Sequence, residues 1–244
     1  MLDGNSQHKE KLIWTSFALL LLTLSVALSS STSWGQGGTY KAPIPRPVNK
    51  QAPPPVQKAP SSSALAPSSQ ANKPAGPDYE SEMKKLNSLI AANDKNADAF
   101  YDRGWLYEVK GDLRMAEKDY TRAVQLDKKN KDAYFNRGLL FVRLKKFEEA
   151  VKDFSDVIKL DSGSADAYCN RGNAYLQLNK TDQAIQDYAA ALKIKPDDAD
   201  ILCNRGIAHL AKGNKPEALK DFKKAAAAGH AKAREYLKIM VTKS

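Results

Sequence analysis

From Tyr79 onward apolar residues recur at intervals of three and four, and the pattern breaks at regular distances. Met83, Leu86, Leu89 and Ile90 make one face of a helix over Tyr79–Asn93. Beyond it the helical pattern comes in pairs, and the whole arrangement restarts every 34 residues, at Ala97, Lys131, Ala165 and Ala199. Within each repeat the columns are tightly held. Ala116, Ala150, Ala184 and Ala218 stand at position 20, Tyr120, Phe154, Tyr188 and Phe222 at position 24, and Ala123, Val157, Ala191 and Ala225 at position 27. Gly111, Lys145, Asn179 and Gly213 occupy position 15, between the two helical patterns. Small residues at positions 8 and 20 predict a close approach of two antiparallel helices. Aromatics at positions 4, 11 and 24 are expected to fill the space beside them, with His209 replacing the aromatic at position 11 of the last repeat. Pro216 falls in the first turn of a helix, where proline is tolerated. A final helix is expected over Ala231–Val241, with Ala233, Tyr236, Leu237 and Met240 on one face. A helical hairpin cannot cover its own apolar face, so neighbours are expected to stack, and the first and last helices to act as caps.

The first 77 residues follow other rules. Lys9 and Lys11 precede an apolar run from Leu12 to Leu28, and a Ser-rich stretch ends in Ser33-Trp34-Gly35. A positive flank, an apolar stretch and small residues at −3 and −1 make a secretory signal over residues 1–35, with cleavage before Gln36. An uncleaved anchor is the alternative, although the run of 17 residues is shorter than the roughly 20 of a spanning helix. Residues 36–77 then hold ten of the twelve prolines, set among Ser, Ala, Gln and Lys. Such a segment buries too little apolar surface to offset its ordering entropy and is expected to be a disordered spacer, reaching at most ~130 Å if extended. Both readings put the repeats, 78–244, outside the cytoplasmic membrane.

Charge adds a restriction. The net formal charge is +10, of which residues 36–77 supply five cations and no acid. Residues 78–244 carry 31 basic and 26 acidic residues, mixed in sign, and no nucleic-acid partner is expected of that balance. The two cysteines are too few for a disulfide framework, form no CxxC and meet no histidine at zinc spacing. His8, His209 and His230 are scattered. Neither a catalytic set, a metal site nor a cofactor site is indicated, and no small-molecule substrate is expected.

The most informative motif lies at the start of each repeat. Asp98-Ala99-Phe100-Tyr101-Asp102-Arg103-Gly104 returns as Asp132-Ala133-Tyr134-Phe135-Asn136-Arg137-Gly138 and as Asp166-Ala167-Tyr168-Cys169-Asn170-Arg171-Gly172. A last copy reads Asp200-Ile201-Leu202-Cys203-Asn204-Arg205-Gly206. The pattern resembles the tetratricopeptide repeat in an Asn-Arg-Gly variant. The resemblance spans repeats 97–130, 131–164, 165–198 and 199–232. It implies an all-α fold, a right-handed solenoid of antiparallel helix pairs. The family's proline at position 32 is present only as Pro196.

Arg103, Arg137, Arg171 and Arg205 each have an aspartate sixteen residues on: Asp119, Asp153, Asp187 and Asp221. The spacing joins the middles of the two helices of a hairpin and predicts one structural ion pair per repeat. The family binds peptides along the first helices, at positions 2, 5, 6, 9, 12 and 13. Here that implies a groove of Tyr101, Asp102, Trp105, Phe135, Asn136, Leu139, Arg143, Asn170, Asn173 and Asn204. Position 6 reads Asp102, Asn136, Asn170, Asn204, and an amide can both donate to and accept from an extended peptide backbone. That column resembles a short form of the asparagine ladder in the O-linked N-acetylglucosamine transferase superhelix. The apolar side chains Tyr101, Trp105, Phe135 and Leu139 are either binding anchors or packing against the first cap. Asp98, Asp132, Asp166 and Asp200 at position 2 favour a ligand with basic residues along one edge, or simply suit helix starts. The absence of lysine at position 5 departs from the chaperone-tail readers of the family. Cys169 and Cys203 share position 5 of adjacent repeats and are expected to be free thiols, because equivalent helices stand about 8–10 Å apart. The resulting expectation is a non-enzymatic scaffold or adaptor that binds an extended polypeptide outside the cytoplasmic membrane. The alternative is a recognition subunit of an envelope enzyme.

Overall fold

The computed structural model describes residues 78–242; the signal or anchor of residues 1–35 and the spacer of residues 36–77 lie outside the described residues. Among the described residues there are ten helices and no strand. They fall into two compact units, 78–127 and 128–242.

The first unit contains α1 (Tyr79–Ala92), α2 (Ala97–Val109) and α3 (Leu113–Leu126). Asp78, Asn96 and Asp112 cap the three helices through side-chain oxygens, which accept from Ser81, Ala99 and Met115 N–H groups. Met83 and Leu86 of α1 bury against Ala99 and Leu106 of α2, with Tyr79, Ile90, Trp105 and Tyr107 around them. The first helix therefore covers an apolar face, as its pattern predicts. It ends at Ala92, and Asn93 is its C-cap.

The second unit contains α4 (Lys131–Arg143), α5 (Phe147–Leu160), α6 (Ala165–Gln177), α7 (Thr181–Ile194), α8 (Ala199–Ala211), α9 (Lys215–Ala227) and α10 (Ala231–Thr242). Asn130, Ser164 and Asp198 cap α4, α6 and α8. The second helices α5, α7 and α9 have no side-chain cap. Their entry is fixed by the way the helix before them ends. Lys145 and Asn179 adopt φ of 58° and 57°, and Gly213 one of 81°. At each, the next N–H turns back to the third carbonyl from the helix end: Lys146 to Phe141, Lys180 to Tyr175 and Asn214 to His209, all at 2.8 Å. This left-handed closure reverses the chain within a few residues. Position 15 is thus a backbone requirement, which glycine meets freely and lysine meets at a cost.

The aromatic at position 24 is the centre of each hairpin. Tyr188 and Phe222 are fully buried between helices, each lying over the glycine at position 8 of its partner helix. A Cβ on Gly172 would meet Tyr188 Cε1 at 2.9 Å, and one on Gly206 would meet Phe222 Cε1 at 2.7 Å. Ala184 and Ala218 at position 20 are fully buried as well. The expected close approach is therefore present, with position 24 filling the space. The aromatics at positions 4 and 11, Tyr134, Phe141, Tyr168 and Tyr175, pack in the same clusters as the position-24 rings. At the C-terminal end α10 lays Tyr236 on Phe222, rings stacked 4.9 Å apart, and buries Ala233. It runs one residue past its expected end.

Candidate functional site

Each repeat carries the same charged device. Arg171 Nε donates to Asp187 Oδ2 at 2.8 Å and its Nη2 donates to Oδ1 at 2.7 Å. Arg103 meets Asp119 at 2.7 and 2.9 Å, Arg137 meets Asp153 at 2.8 and 2.7 Å, and Arg205 meets Asp221 at 2.7 Å twice. The structure thus brings together all four pairs named from the sequence. The fork geometry suits guanidinium and carboxylate, and the aspartates are buried. The hydrogen bond from Arg171 to Asp187 raises the arginine's pKa, so its charge is fixed. Burial pushes the Asp153 carboxyl up, against the pull of Arg137.

Positions 4 and 11 flank the guanidinium as well as packing against the core, where Tyr107, Tyr134, Phe141, Tyr168 and Tyr175 are found. Arg171 lies 5.6 Å from the Tyr168 ring and 5.9 Å from that of Tyr175. Arg137 lies between Tyr134 and Phe141, at 5.7 and 5.5 Å, and Arg103 between Phe100 and Tyr107, at 5.5 and 5.9 Å. The rings therefore fill space as expected and do more: helix spacing of three and four sets them on either side of position 7. In Arg103 and Arg171 the third nitrogen reaches the preceding helix. Arg171 Nη1 donates to Ser155 Oγ at 2.9 Å, and Arg103 Nη1 to Asn87 Oδ1 at 2.8 Å. The sequence reasoning missed this bond. The signal was present, since Asn87 and Ser155 stand sixteen residues before their arginines.

The groove candidates divide by exposure. Tyr101, Phe135, Asn136 and Leu139 are buried. Tyr101 packs on Tyr120 and Phe135 on Phe154, with ring centres 5.9 and 5.7 Å apart. Asn170 is 9% exposed and spends its amide N–H on the Asp166 carbonyl at 2.9 Å. Asn204 is 8% exposed and turns its amide N–H toward Cys169 Sγ at 3.8 Å. Asn173 is half-buried and accepts from the Tyr188 hydroxyl at 2.7 Å. Asp102, Trp105 and Arg143 are half-buried, and Trp105 meets Tyr79 edge to face at 6.3 Å. The position-2 acids also have partners inside the second unit: Asp166 takes Lys195 at 3.0 Å, and Asp200 takes His230 at 3.2 Å.

The hydroxyl of Tyr188 explains Asn173. Where position 24 is tyrosine its hydroxyl needs a polar neighbour: Tyr188 finds Asn173, and Tyr120 finds Glu108 at 3.1 Å. Phe154 and Phe222 have no hydroxyl to satisfy, and position 9 beside them is apolar, Leu139 and Ile207; beside Tyr120 it is Trp105, and Glu108 at position 12 takes the hydroxyl.

Cys169 and Cys203 are free and buried, and burial pushes both thiols up to about 12. A thiol in that state is a poor nucleophile.

The comparisons agree with this geometry. A family model described as tetratricopeptide repeat matches residues 97–130, and one described as TPR repeat matches 140–179 and 172–213. A solved structure described as MamA is 27% identical, with a TM-score of 0.60 over 64% of this chain and 92% of that one. One described as YrrB, a TPR protein with an unusual peptide-binding site, is 23% identical, with a TM-score of 0.62 over 66% of this chain and 84% of that one. MamA 41-end from Desulfovibrio magneticus RS-1 shares 18% identity and the fold, with a TM-score of 0.58 over 62% of this chain and 85% of that one. No curated protein matches the chain by sequence. The 34-residue register, the helical hairpins and the family models converge: the chain is a tetratricopeptide-repeat protein.

Proposed function

We propose that this chain is a non-enzymatic protein-interaction scaffold that binds an extended polypeptide along its first helices, outside the cytoplasmic membrane. The observation that carries the reading is the split among those helices. Tyr101, Phe135 and Leu139 are consumed by the core, whereas Asp102 and Trp105 in the first unit and Arg143 and Asn173 in the second stay half-exposed, so each unit keeps polar positions on its first helices, with one aromatic in the first. Such positions suit a ligand held by hydrogen bonds and charge with an aromatic anchor. The amide column contributes less than its sequence suggests, because Asn170 and Asn204 already donate within the protein. The absence of a catalytic role rests on chemistry: the cysteine thiols are pushed up, and the strong ion pairs have their donors and acceptors matched. Location outside the membrane rests on Lys9, Lys11 and the apolar run from Leu12 to Leu28.

The test is an in-cell photocrosslink from a reactive residue replacing Arg143, with Lys152, exposed on α5, as the control position. One dominant protein trapped from position 143 and not from position 152 is expected. A smear of unrelated chains would indicate a general holdase. No adduct from a folded protein would remove the groove.

A further inference from the structure

The positive charge of the folded part is concentrated at one end. Residues 78–211 hold 22 basic and 23 acidic side chains, whereas residues 212–244 hold nine basic and three acidic. The last hairpin and the helix after it therefore carry the whole surplus. On α9, Lys220, Lys223 and Lys224 are exposed and, three and four residues apart, share a face with exposed Ala227. On α10, which packs against α9, Arg234 and Lys238 are exposed four residues apart and Lys232 is half-buried. Of the three acids, Asp221 is buried against Arg205, which leaves Glu217 and Glu235 at the surface. At the turn from α9 to α10, Ala227, Ala228, Gly229 and Ala231 are exposed, with His230 half-buried among them.

We propose that this α9–α10 face rests on an anionic lipid bilayer. Seven of the eight described cations from Lys212 on are lysines, point charges without the planar fork that reads a carboxylate or phosphate bidentately, and one of them, Lys212, is held by Asp182 at 2.7 Å. A lysine-rich face with small exposed residues at its turn fits a diffuse negative charge better than it fits a peptide, which needs a groove. Each such lysine near an anionic surface adds to the attraction, and several act together. The proposal does not depend on the groove reading. The nearness of a bilayer rests on the apolar run from Leu12 to Leu28.

The test uses the full chain with Ala227→Cys carrying a fluorescent donor; Cys169 and Cys203, buried with thiols pushed up to about 12, escape labelling. Vesicles of phosphatidylcholine, with or without about a third phosphatidylglycerol, carry acceptor lipid. Energy transfer from position 227 is expected to rise above the zwitterionic baseline, which the apolar run sets, only with phosphatidylglycerol, and to return to that baseline at about 0.5 M salt. Lys220→Glu, Lys223→Glu and Lys224→Glu together are expected to abolish this rise without loss of helicity, since all three are exposed. Lys84→Glu with Lys85→Glu on α1 is the control and should leave it intact. Equal transfer to both vesicle types, or a rise that survives the α9 reversal, would overturn the proposal. So would a reversal that releases a nucleic acid or an acidic protein while transfer to the bilayer stays unchanged. Loss of photocrosslinking at Arg143 bears on the groove alone, so the two readings fail separately.

Discussion

The third and fourth hairpins carry one ion pair in two surroundings. Arg171 sits between Tyr168 and Tyr175, holds Asp187 with two hydrogen bonds and reaches back to Ser155. Arg205 holds Asp221 equally well, but its neighbours at positions 4 and 11 are Leu202 and His209, and Ala189 stands where Ser155 would be. The arginine side chain is 18% exposed in the third hairpin and 25% in the fourth. His209 Nδ1 is buried without a partner. The salt bridge is thus the fixed part of the repeat, and the aromatic and polar surround is adjustable toward the end of the array. A buried aspartate tolerates no loss of its partner, whereas a ring over a guanidinium adds a smaller increment.

The largest effect is expected from removing the carboxylates. Asp187→Ala leaves Arg171 wrapped in protein without a counter-charge and should cost about 3 kcal/mol, with Asp221→Ala costing less because Arg205 is wetter. Urea titration of both variants measures the difference, and equal costs would break the comparison. Next comes the glycine under the aromatic. Gly172→Ala forces a methyl against Tyr188 and should cost about 2 kcal/mol, and Gly206→Ala no less, as its contact is shorter. A thermal melt of each, unchanged, would mean that the rings shift freely.

His209→Tyr should convert the fourth surround toward the third and stabilise the chain by about 1 kcal/mol, since it adds a ring over Arg205 and removes an unpartnered buried nitrogen. A pH dependence accompanies it. Burial lowers the His209 pKa below its ordinary 6.5. The unfolded chain therefore binds the proton more readily, and His209 adds stability that is complete above pH 6.5 and lost as pH falls from there toward the folded value. The same melts between pH 5 and pH 7.5 should show a shallower acid-side slope in His209→Tyr than in the parent; identical slopes would locate the titration elsewhere. The smallest expected gain is from Ala189→Ser, which places a hydroxyl at the register that Ser155 occupies before Arg171; about 0.5 kcal/mol is expected, and calorimetry of the single variant checks it.

Much of this architecture was legible before any coordinates. The spacing from Arg171 to Asp187 needed only the length of a hairpin, and the small columns at positions 8 and 20 needed only the rule that close helices exclude side chains. The groove was less legible. Asn136, Asn170 and Asn204 share a column with Asp102, and a column says which residues align, not which are covered. Cys169 at position 5 of one repeat comes to face Asn204 at position 6 of the next, 3.8 Å away, a contact between neighbours that no single repeat displays. The charge balance behaved similarly: signs mixed along the sequence gather at α9 and α10 once counted by element.

What the sequence determined by itself is the register: the 34-residue step, the helix pairs, their caps and the salt bridge of each hairpin, all set by interactions within one repeat length. Only the tertiary structure decided which side chains of the first helices remain reachable and that Cys169 meets Asn204. Those outcomes depend on the neighbouring hairpin, and burial belongs to the packed pair of repeats rather than to either one.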